Sequence, residues 1–92
     1  MPLADEEIES RLKGLNGGWS REGDAIERQF ARGDFVGSVE FVQAVVEPAE
    51  DMGHHPDIAI SWDTVTVSIT NHSEGGLTEA DFELAGRIDA LA

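Results

Sequence analysis

Three histidines and two carboxylates carry the chemistry that this sequence offers. His54 and His55 are consecutive and precede Pro56, His72 lies farther along, Glu50 stands before the pair, and Asp81 follows His72. Histidine has an unperturbed pKa of about 6.5, so it can give or take a proton near neutrality. Several imidazoles around one pocket suit a reaction in which one proton is removed while another is delivered. Glu50 and Asp81 suit a supporting role, accepting a ring N–H and so orienting an imidazole. Two other readings compete. A three-histidine zinc centre would leave one position for water, but consecutive residues of an extended strand point to opposite sides, and the short helical spacing of many metal ligands is absent. In a purely structural reading, the proline sets a turn and the histidines only cap a sheet.

The elements around the histidines are expected to bring them together. Ile58, Ile60 and Trp62 alternate, as do Val65, Val67 and Ile69, which predicts two strands with one buried face. Thr64, Thr66, Ser68 and Thr70 take the opposite face of the second strand. With Asp63-Thr64 as the hairpin loop, Trp62 faces Val65, Ile60 faces Val67 and Ile58 faces Ile69. Continuing outward, His55 faces His72, and opposed residues have Cβ atoms roughly 4.5–5.5 Å apart.

Periodicity supplies the remaining elements. Ile8, Leu12 and Leu15 predict an amphipathic helix over about 5–14, with Asp5, Glu6 and Glu7 at the positive end of its dipole and Gly14 and Asn16-Gly17-Gly18 ending it. Trp19-Ser20-Arg21 reads as a short strand, Glu22-Gly23-Asp24 as a turn, and 25–31 as a strand with Ile26, Arg28 and Phe30 on one face. Asp34 is expected to cap a helix over 35–51. That helix carries one apolar stripe of Phe35, Val39, Val42, Val46 and Ala49, and a second of Phe41 and Val45. A small domain has difficulty covering both, so one stripe is expected to be a subunit contact. Pro48 removes the amide that would bond the Ala44 carbonyl, so a kink or an early stop is expected there. Thr78 begins the last helix, with Asp81 as a near-match to a capping box, and Phe82, Leu84, Ala85, Ile88 and Leu91 form its apolar face. The order αββαββα predicts an α+β fold, a four-stranded antiparallel sheet with helices packed on one face.

Composition narrows the function. The chain has 92 residues and no cysteine, which predicts one domain over 1–92 without disulfides or thiolate chemistry. Six basic residues against nineteen acidic ones leave a formal charge of -13. Such a surface repels phosphate backbones, so no nucleic-acid partner is expected. No apolar run approaches the roughly 20 residues of a membrane span, and the acidic N-terminus lacks a signal core. A cytoplasmic protein without a membrane partner is therefore expected.

The spacing of the site residues resembles the signature of the pterin-4a-carbinolamine dehydratase family. Glu50 is followed after three residues by His54-His55-Pro56, after five more by Trp62, after nine more by His72, and after eight more by Asp81. The likeness extends through Gly18-Trp19, Ile26…Phe30, Gly33-Asp34-Phe35 and Gly76-Leu77-Thr78-Glu79-Ala80-Asp81, about residues 12–91. The resemblance implies the same α+β fold and loss of water from a 4a-hydroxytetrahydropterin, giving a quinonoid dihydropterin and recycling the tetrahydropterin. It implies no metal and no organic cofactor. Catalysis would fall to His54, His55 and His72, and substrate-binding or orienting roles to Glu50, Pro56, Thr70, Asn71, Asp81 and Trp19. Trp62 is expected to pack in the core. A homodimer or homotetramer is implied, with Phe41 and Val45 placed in the contact. The sequence departs from the family pattern at Thr70-Asn71, where Ser/Thr-Thr is common, at Ala80, where a base is common, and at Pro48. The alternative function is a non-catalytic module of the same fold that stabilises partner oligomers.

Overall fold

Seven elements follow one another in the order αββαββα: α1 (Asp5–Gly14), β1 (Ser20–Glu22), β2 (Ala25–Ala31), α2 (Phe35–Met52), β3 (Asp57–Ser61), β4 (Thr64–Thr70) and α3 (Glu79–Asp89). A 3-10 turn, His72–Glu74, lies between β4 and α3. The computed structural model describes residues 2–15 and 17–92; Met1, and Asn16 with its expected part in ending α1, lie outside the described residues. The strands form one antiparallel sheet in the order β1-β2-β4-β3, and the helices cover one face. Alternation decides that face. Ile26 and Phe30 of β2, and Val65, Val67 and Ile69 of β4, point into the core against Ile8, Phe41, Val45, Phe82, Leu84, Ala85 and Ile88.

The β3–β4 hairpin turns one residue earlier than the sequence suggests. The central turn residues are Trp62 and Asp63, so Ile60 faces Val65 and Ile58 faces Val67. The expected register is displaced by two residues. Such a shift keeps every side chain on its original face, and both registers pair apolar with apolar, so the pattern could not separate them. Trp62 takes φ 52°, the positive φ that a type II′ turn requires at its first central residue. Ser38 holds that turn by donating to the Trp62 carbonyl at 2.8 Å, and the Arg32 amide donates to the Asp63 carbonyl at 2.7 Å. Trp62 is therefore not a core residue; it is 71% exposed.

Helix α2 begins as expected, with the Asp34 side chain accepting from the Gly37 amide at 2.7 Å. Pro48 does not stop it, and the helix continues to Met52. Ala44, whose carbonyl loses a partner, lies on the exposed side, while the Pro48 ring is buried. The end of the helix is held instead by bonds that bypass the proline, from the Gly53 amide to Glu50 and from the His54 amide to Ala49. The helix divides differently from the expected stripes: Ala49 of the first stripe joins Phe41 and Val45 of the second in the core, with Val42 packed partly against it. Phe41, Val45 and Ala49 are buried, whereas Phe35, Val36 and Val46 are 57%, 63% and 54% exposed. Phe41 and Val45 are thus core residues and not a subunit contact. Periodicity gives the angle between two stripes but not which one meets the sheet. Leu91, expected on the buried face of α3, lies beyond the helix and is exposed.

Candidate active site

The end of α2 sets the histidine pair. Gly53 adopts φ 61° and the His54 amide reaches back to the Ala49 carbonyl at 3.0 Å, the 6→1 bond of a Schellman motif. Pro56 then directs the chain into β3. A Cβ on Gly53 would meet nothing within 4 Å, so the demand for glycine is purely conformational. Gly53→Ala is expected to lower the unfolding free energy by about 1–2 kcal/mol and Gly53→Asn by less; urea denaturation of the two variants measures the difference.

His54 points inward and His55 outward. The His54 ring lies within 2.5 Å of Asp81 through Nε2 and Oδ1, its side chain 14% exposed and that of Asp81 0%. Asp81 Oδ2 accepts from the Thr78 amide at 2.6 Å and from the Thr78 hydroxyl at 3.2 Å. With Asp81 as the ionised acceptor of all three bonds, His54 carries its proton on Nε2. Its Nδ1 is then the nitrogen able to exchange a proton. The His55 Nε2 lies 2.5 Å from Glu50 Oε2 on the last turns of α2, and both side chains are well exposed. Each histidine of the pair thus has its own carboxylate, one in the interior and one at the surface.

His72 opens the 3-10 turn and its side chain is exposed. It is not the cross-strand partner of His55, because β3 starts at Asp57, opposite Ser68, and the ladder ends before either histidine. Asn71 connects the turn to Asp81: its amide donates to the Thr78 hydroxyl at 3.4 Å and accepts from the Ser73 hydroxyl at 2.8 Å. Two hollows flank the set. One of about 490 Å³ lies over the start of α3, with Leu3, Asn71, Glu74, Thr78 and Glu79 in its wall. The other, about 180 Å³ and mostly apolar, runs between α2 and β3, with Val42, Val46, Ala49, Glu50, His55 and Pro56 in its wall. Among the described residues, no group of three or more His, Asp or Glu side chains is arranged to hold a metal ion.

Two further residues of the expected set, Trp19 and Thr70, make contacts that tie elements together. Trp19 is buried, stands edge-on to Phe30, and donates its indole N–H to both oxygens of Asp89 at 2.9 and 3.0 Å. Arg28 reaches the same carboxylate at 2.8 Å. Trp19, just before β1, and Arg28 of β2 are thereby joined to the end of α3. The Thr70 hydroxyl donates to the Asp24 carbonyl at 2.5 Å and ties β4 to the β1–β2 turn. Thr78 was legible only as a helix cap, because its contact with the histidine system arises through Asp81. Nothing in the spacing of the sequence signals that Asp89 receives Trp19 and Arg28.

The family model described as "Pterin 4 alpha carbinolamine dehydratase" matches residues 1–91. The chain belongs to this family. Relatives named "Putative pterin-4-alpha-carbinolamine dehydratase" include one from Thermosynechococcus vestitus, 48% identical over 90 residues, covering 98% of this chain and 94% of the relative. Another, from Roseiflexus sp., is 48% identical over 89 residues, with 97% and 95% covered. Among solved structures, the transcriptional coactivator/pterin dehydratase from Brucella melitensis matches with a TM-score of 0.93 and 32% identity over 100% of this chain and 99% of that one. A pterin dehydratase-like protein identified as a RuBisCO assembly factor in the alpha-carboxysome matches with a TM-score of 0.69 and 28% identity, covering 84% and 92%. The likeness in fold extends over the whole chain. No helix is long and apolar enough to cross a membrane among the described residues.

Proposed function

We propose that this protein is a cytoplasmic hydro-lyase that dehydrates a 4a-hydroxytetrahydropterin to a quinonoid dihydropterin and water, recycling tetrahydropterin. The single observation that carries the reading is His54 held by the fully buried Asp81 at the histidine pair of a dehydratase-family chain. His54, His55 and His72 supply the proton transfers. One imidazolium protonates the departing 4a-hydroxyl as the C4a–O bond breaks, and another imidazole takes the proton from the ring N–H. The charges balance, so neither a metal nor an organic cofactor is required by the chemistry. Glu50 and Asp81 orient imidazoles, while Pro56 and Asn71 border the substrate's approach. The test is stopped-flow dehydration of a freshly generated 4a-carbinolamine. Catalysis well above the buffer reaction is expected, and a rate no faster than buffer overturns the proposal.

The active species in this reading is a homodimer or homotetramer. Its support is the exposed large apolar side chains along α2, Phe35, Val36 and Val46, since exposed apolar surface marks contact sites. A second reading, a module that stabilises partner oligomers, is favoured by the same surface and by the likeness to the RuBisCO assembly factor. It would be preferred if dehydration assays were silent and the protein were recovered with a stoichiometric partner.

A further inference from the structure

The three histidines belong to two separate backbone segments, and no backbone hydrogen-bond ladder joins those segments directly: β3 begins after His55 and β4 ends before His72. What spans the gap is a row of side chains. Ser73 donates to Asn71 Oδ1 at 2.8 Å, Asn71 Nδ2 donates to Thr78 Oγ1 at 3.4 Å, and Thr78 Oγ1 donates to Asp81 Oδ2 at 3.2 Å. Asp81 Oδ1 then meets His54 Nε2 at 2.5 Å. His72 lies between the first two members of this row.

We propose that Asn71 and Thr78 are positioning residues that couple the turn bearing His72 to the His54–Asp81 pair and hold both in one reactive geometry. The proposal rests on the dehydratase reading for its kinetic consequences, but its structural content is independent of that reading. The directions of the bonds are set by chemistry. A hydroxyl has one proton, so a Thr78 that donates to Asp81 can receive Asn71 only as an acceptor. Asn71 must donate on that side and accept from Ser73 on the other, and a side-chain amide is built to do both. Every proton of the row therefore points toward Asp81, a donor arrangement that matches an Nε2–H on His54. Asn71 also carries the turn through its backbone, its carbonyl accepting from the Glu74 amide at 3.1 Å and the Gly76 amide at 3.3 Å. A displacement of Asn71 thus moves His72 and loosens Thr78 together.

The test pairs disruptive with conservative variants. Thr78→Val removes the hydroxyl but keeps the amide that bonds Asp81; Asn71→Asp keeps the acceptor for Ser73 but loses the donor. Each is expected to lower kcat about 10-fold with KM within about twofold, as misplacement of catalytic groups does. Thr78→Ser and Asn71→Thr each retain a hydroxyl donor and are expected to stay within about threefold of the parent. Nitrogen-15 NMR of the histidine rings gives a readout that needs no activity. The parent should show His54 as the Nε2–H tautomer, and Thr78→Val should raise the Nδ1–H fraction while far-UV circular dichroism stays unchanged. An unchanged tautomer and unchanged kcat in Thr78→Val overturn the proposal, as does a loss of kcat that Thr78→Ser fails to restore. If the parent protein proves inactive, the dehydratase reading falls, and the ring-nitrogen spectra of the same variants still decide whether the row positions His54.

Discussion

His54→Ala, His55→Ala and His72→Ala are each expected to slow carbinolamine dehydration by about 10²–10⁴-fold, the usual worth of a positioned acid or base. Their effects on stability should differ. His54 is the partner of a fully buried carboxylate, and its removal leaves Asp81 Oδ1 without that hydrogen bond. The cost of an abandoned buried acceptor is about 1–3 kcal/mol. His55 and His72 are exposed, and surface substitutions usually stay within about 0.5 kcal/mol. Stopped-flow rates and urea melts on the same three variants check both statements. Retention of near-parental rates by all three would remove histidine acid–base catalysis from the account. Equal stabilities for all three would contradict the buried role of the His54–Asp81 pair.

A second large effect is expected at Phe41. Its ring is 4% exposed, lies 4.7 Å from that of Phe30 and is covered by the Arg32 guanidinium at 4.8 Å. Phe41→Ala removes a core aromatic ring and is expected to cost about 3–5 kcal/mol. A domain of this size holds roughly 5–14 kcal/mol in all, so thermal unfolding should fall by at least about 12 °C. The paired substitution Phe35→Ser and Val46→Ser touches the exposed stripe of the same helix. It is expected to leave the far-UV circular dichroism unchanged and to shift sedimentation toward a smaller species. An unaltered melt for Phe41→Ala would place that ring outside the core. An unaltered mass for the double variant would place the subunit contact elsewhere.

Much of the fold was legible from local pattern, because local pattern is what the periods of helix and strand express. Ile26…Phe30 and Val65-Val67-Ile69 alternate and therefore share a buried face, and Asp34 and Thr78 cap the helices they precede. Chain order supplied the αββαββα arrangement, and the spacing from Glu50 to Asp81 pointed to the family. The bounds of β2 and α1 also agree with the sequence reading.

The tertiary structure decided matters on which local pattern is silent. Two registers of the β3–β4 hairpin pair apolar with apolar, and only the fixed turn at Trp62-Asp63, held by Ser38 and Arg32, selects one. Two stripes of α2 are equally apolar, and only the position of the sheet buries Phe41 and Val45 while leaving Phe35 and Val46 in water. The proline in α2 is tolerated where Ala44, whose carbonyl it leaves unpaired, lies on the exposed side and the Pro48 ring is buried. No spacing in the sequence foretells that Asp89, seventy positions away, receives the Trp19 indole N–H. The sequence by itself thus determined which residue types are present and which neighbours along the chain share a face. Which carboxylate meets which imidazole depends on distances between segments remote in sequence, and those exist only once the chain has packed.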